Sequence, residues 1–173
     1  MAALQLLGGS ERLVILSNKF YDANLMIVEW EPEETGTHQD HVIAHVIGAT
    51  VVGYFAADDA LHLSLDIGFI WTIFADAEMG LLPESLALKE LNVNAEERAR
   101  LCDELRQLHD GEADAAALAH VTPAPAGCLI EEVRLLAKGE LRRLEIHGEM
   151  AGLVVYASPV TGEMSIENLH ILE

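Results

Sequence analysis

Sixteen consecutive residues, Val42 to Ala57, contain no Asp, Glu, Lys or Arg in a chain whose formal charge is −19. Burying charge-free backbone in the middle of so anionic a chain restricts where the run can go. A helix needs roughly twenty apolar residues to cross a bilayer, and this run is shorter, is interrupted by His45, Gly48 and Gly53, and closes on Asp58-Asp59. It belongs in a protein core or in a contact between subunits. A further apolar stretch, Ile67 to Ala75, follows the aspartates.

The chain has 29 acidic and 10 basic residues, yet 51% of it is hydrophobic. Disorder requires low hydrophobicity together with high charge, so this composition describes a folded core under an anionic surface. The acidic residues are spread along the whole sequence and no segment is basic. A phosphate backbone or an anionic lipid surface is repelled by such a protein, and neither nucleic acid nor membrane is expected as a partner. A second copy of the chain, a basic protein or a divalent metal is compatible with it. At 173 residues the chain is expected to form one domain over 1–173 and to bury roughly 70% of its unfolded surface. Cys102 and Cys128 are too far apart in sequence for a redox or zinc pair. Met1 to Arg12 lacks the pattern of a secretory signal. Together these features point to free thiols and a cytoplasmic location.

Turn chemistry divides the sequence into short elements. Leu13–Leu16 and Leu25–Glu31 predict a hairpin. Over His38–Ile47 the β-branched residues oppose a helix, whereas the order Thr37, Asp40, Gly48 supports one, and a short helix is the reading adopted. Strands are expected over Ala49–Ala57, over Leu61–Leu65 with one wet face, and over Phe69–Phe74. Asn94 and Glu97 have capping spacing, Leu101, Leu105 and Leu108 share a face, and Gly111 is a stop, so a helix ends near residue 109. Ala113–His120 suggests a second short helix. Four strands follow, over Leu129–Leu136, Leu141–Ile146, Leu153–Tyr156 and Met164–Ile171. The fold class is therefore α+β: an antiparallel β-sheet made of two meander segments, N- and C-terminal, packed by a central helical segment. A closed β-barrel with a helical insertion is the alternative. A faint repeat, from Leu6-Leu7 to Thr35-Gly36 and from Leu135-Leu136 to Thr161-Gly162, carries no functional information.

Phosphate-binding glycine loops, nucleophile elbows, His-Glu-x-x-His and EF-hand patterns are all missing from the sequence. The densest group of ligand-type side chains is His38, Asp40, His41 and His45. Imidazole and carboxylate suit zinc, iron or manganese, and His41 and His45 project to one side of a helix or of a strand. Asp58, Asp59 and His62 are the nearest further donors. Asp76 and Glu78 form a weaker carboxylate pair, best explained as a turn. Trp30, Trp71, Tyr21, Tyr54 and Tyr156 suit a pocket or, more simply, a core. On these grounds the leading expectation is a non-catalytic domain that binds a partner or small ligand, needs no cofactor and forms a homodimer. The alternatives are a metal-dependent hydrolase or oxygenase built on the His/Asp cluster, and an acidic inhibitor or immunity-like protein for a basic partner.

Overall fold

Gln39 sets the start of the first helix. Its Oε1 accepts the Gly36 backbone N–H at 2.8 Å, satisfying one of the donors that a helix N-terminus leaves free. The helix, α1, runs Thr37–Val46 and turns Val42 and Val46 into the core. Burial of those two side chains, worth about 2 kcal/mol each, outweighs the small helix penalty of β-branching. The structure, a computed structural model, describes residues 29–77 and 80–169. Residues before 29, which hold most of the hairpin expected from Leu13 onward and most of the first copy of the repeat, lie outside these.

Four strands form the first meander: β2 (Val51–Ala57), β3 (Ala60–Leu65), β4 (Ile70–Asp76) and β5 (Gly80–Leu86). Asp58 and Asp59 make the β2–β3 turn with φ of 50° and 56°, the left-handed pair of a type I′ hairpin, and Asn92 Nδ2 donates to Asp58 Oδ2 at 2.9 Å. Helix α2 covers Ala95–His109, and Asn94 accepts the Glu97 N–H at 2.9 Å as its N-cap. The second meander is β7 (Ile130–Lys138), β8 (Leu141–Gly148), β9 (Gly152–Ser158) and β10 (Glu163–Leu169). Two-residue strands β1 (Glu31–Pro32) and β6 (Thr122–Pro123) extend the edges.

The fold is mixed α+β, but the meanders form two antiparallel sheets where one was expected. The N-terminal sheet has the order β5-β4-β3-β2-β6 and the C-terminal sheet β1-β7-β8-β9-β10. Leu61, Leu63, Trp71 and Ile73 of the first share one buried cluster with Leu144, Ile146, Leu153 and Val155 of the second. At one corner the sheets are stitched together: Gly48 N–H donates to Ile130 O and Ile130 N–H to Ala49 O, both at 2.8 Å, and Val51 N–H to Cys128 O at 3.0 Å. No closed barrel forms among the described residues. Closure would require the β5 edge to pair. There Gln39 Nε2 already donates to Leu81 O at 2.6 Å, and Pro83, two residues on and so facing the same way, has no N–H.

A second buried cluster joins Leu101 and Leu105 of α2 to Phe55, Ile70, Leu91 and Val121. It explains two differences from the sequence reading. The alternation in Leu61–Leu65 is real, but every residue of β3 is buried, because His62 lies across from Phe55 on the face that this cluster occupies. Residues 113–120 form turns rather than a helix. At the end of the segment Glu104 of α2 accepts from the N–H groups of Ala119, His120 and the following Val121 at 3.2, 2.9 and 2.8 Å.

Candidate functional site

All four expected ligands, His38, Asp40, His41 and His45, are exposed on α1. The i, i+4 spacing brings His41 and His45 together, with ring centroids 6.2 Å apart. Asp40 departs from that face, since one residue turns a helix by about 100°, and it accepts a short hydrogen bond from the Thr35 hydroxyl. Among the described residues no three His, Cys, Asp or Glu side chains converge in a way that could hold a metal ion.

Beside this helix face lies an apolar surface. The ring of Phe69 meets that of His45 edge-on, with centroids 6.3 Å apart. Ile47, Ile67 and Phe69 are 44%, 48% and 40% exposed. The β3–β4 turn that carries two of them is pinned to the chain after α1: Thr50 N–H donates to Asp66 Oδ1 at 2.8 Å and Asp66 N–H returns to Thr50 O at 3.0 Å. Gly68 supplies the positive φ of 86° in that turn. Two stretches free of Asp, Glu, Lys and Arg, 42–57 and 67–75, therefore meet at one surface. Both stretches are visible in the sequence. Their meeting is not, because Ile67 and Phe69 read there as the lead-in to a buried strand.

His62, a further donor by sequence, belongs to the core. Its Nε2 lies 3.0 Å from Ala57 O, which can only accept, so Nε2 carries the proton and Nδ1 accepts from the Thr72 hydroxyl at 2.8 Å. Burial holds the imidazole pKa below its usual value, against the opposing pull of the Ala57 carbonyl and of Asp58. This is a neutral, satisfied core histidine, stacked on Phe55 at 4.9 Å. Asp58 and Asp59 stand in their hairpin turn. Asp76 lies in β4 and Glu78 lies outside the described residues.

The aromatic residues separate into different environments. Trp71 is fully buried, and its indole N–H has no partner among the described residues. Tyr54 is half-buried, and burial raises its phenol pKa. Trp30 and Tyr156 hold the Arg143 guanidinium at 5.7 and 5.4 Å from their ring centres, and Glu145 pairs with both Arg143 at 2.6 Å and His147 at 2.9 Å. Tyr21 lies outside the described residues. A crevice of about 10 Å³ between α1, β5 and the C-terminal sheet is lined by Gln39, Ile43, Leu81, Pro83 and Leu144. It has room for roughly one water. Among the described residues no helix is long and apolar enough to cross a membrane. Compared with known proteins, the chain matches no family model, no curated protein and no solved structure.

Proposed function

We propose that the protein is a non-catalytic binding domain that self-associates through the surface formed by Ile47, Ile67, Phe69 and the His41/His45 face of α1. The observation that carries this reading is the exposed Phe69 ring set against exposed His45, on a turn that Asp66 ties to Thr50, just after the exposed Ile47. A chain of charge −19 repels its own copies over most of its surface. Repulsion is least where the charge-free stretches emerge, and there the apolar contact is available to offset it.

Sedimentation of the untagged protein over a wide concentration range tests the reading. The mass should rise toward that of a dimer, and Phe69→Glu should keep it monomeric. Loss of one buried aromatic anchor, at about 1.5–3 kcal/mol, weakens association by roughly tenfold to a hundredfold. A wild-type protein that stays monomeric throughout sinks self-association.

A second reading makes the protein an acidic inhibitor of a basic partner. It is favoured by the end of α2, where Asp103, and beyond it Asp110 and Glu112, raise the Arg106 pKa. Binding of a cationic protein that weakens steeply with added salt, and that is lost in Asp110→Asn, Glu112→Gln, supports this reading. Salt-independent binding removes it.

A further inference from the structure

We draw no further inference here: the strongest candidate, the side-chain cluster on the outer face of the C-terminal sheet where Trp30 and Tyr156 flank Arg143 beside the Glu145–His147 pair, carries nothing, because its charged groups close on one another and nothing in the structure shows what covers that face.

Discussion

The two sheets are built alike, each from a meander of four strands and one short edge strand, yet their outer faces carry different side chains. In the N-terminal sheet the second face is covered. Phe55 and Ile70 join the α2 leucines there, and the polar groups on that face, His62 and Thr72, satisfy one another. The C-terminal sheet instead lays charge and aromatic rings across its outer face. Arg134 pairs with Glu132, Arg143 with Glu145 and His147 with Glu145, and Trp30 and Tyr156 lie against Arg143. Polar groups on both faces have to close on partners: Glu145 and Ser165 on the outer face of the C-terminal sheet are buried like His62 and Thr72, and Glu145 meets both Arg143 and His147.

The largest expected effect breaks the C-terminal sheet. A Cβ on Gly148 would lie 2.2 Å from Ala151 O and 3.1 Å from Cys128 Cα; these are backbone atoms that cannot swing away. Gly148→Ala should lower stability by about 3 kcal/mol or more in urea unfolding. Its counterpart in the N-terminal sheet, Gly53→Ala, meets Leu108 Cδ1 at 2.9 Å and Thr122 O at 3.0 Å. A leucine methyl can move and the Thr122 carbonyl is less crowded than the Ala151 one, so a smaller loss, about 1–2 kcal/mol, is expected there. Equal losses would show that the two glycines are constrained alike.

Next comes the cover of the N-terminal sheet. Burial alone would raise the Glu104 carboxyl pKa, but the His120 side chain and then the backbone N–H groups of His120, Val121 and Ala119 outweigh it and keep it low. Glu104→Ala leaves those three amides without their acceptor and should cost about 2 kcal/mol. Hydrogen exchange should accelerate at residues 119–121 while the C-terminal sheet keeps its protection. Unchanged exchange at those amides would mean that the loop is held by something else.

The smallest effect separates the sheets by pH. The folded-state pKa of His62 lies below its ordinary 6.5 because of burial. The unfolded chain therefore takes up the proton first. The stabilisation from neutral His62 is complete above pH 6.5 and is lost as the pH falls from there through the depressed folded value. Unfolding midpoints in urea at a series of pH values should fall more steeply for the wild type than for His62→Gln. Parallel profiles would show that His62 is not the group being titrated.

What the sequence made legible was local. Helix α2 could be read because its cap, its leucine face and its stop all lie within the segment itself. Helix α1 could be read from Thr37, Asp40 and Gly48, and the pairing of His41 with His45 from their spacing alone. Strand β5 was missed because Gly80, Pro83, Glu84 and Ser85 give an edge strand no apolar alternation. The expected helix over 113–120 did not form: Ala119 and His120 give their amides to Glu104, fifteen and sixteen residues away, and Ala116 and Ala117 give theirs to Asp114. The division into two sheets was also hidden, since strand spacing does not record which meander faces which. For the same reason Phe69 and Ile67 joined the histidine face only in three dimensions.

Pro83 and Gln39 bear on how the molecule can assemble. Proteins rich in strands risk polymerising, each open ladder templating the next chain. On β5 the outward amide is missing at Pro83, and the carbonyl of Leu81 is taken by Gln39. That border accepts no further strand in register. The protection is local to that border: β10, at the end of the other sheet, pairs only with β9 among the described residues.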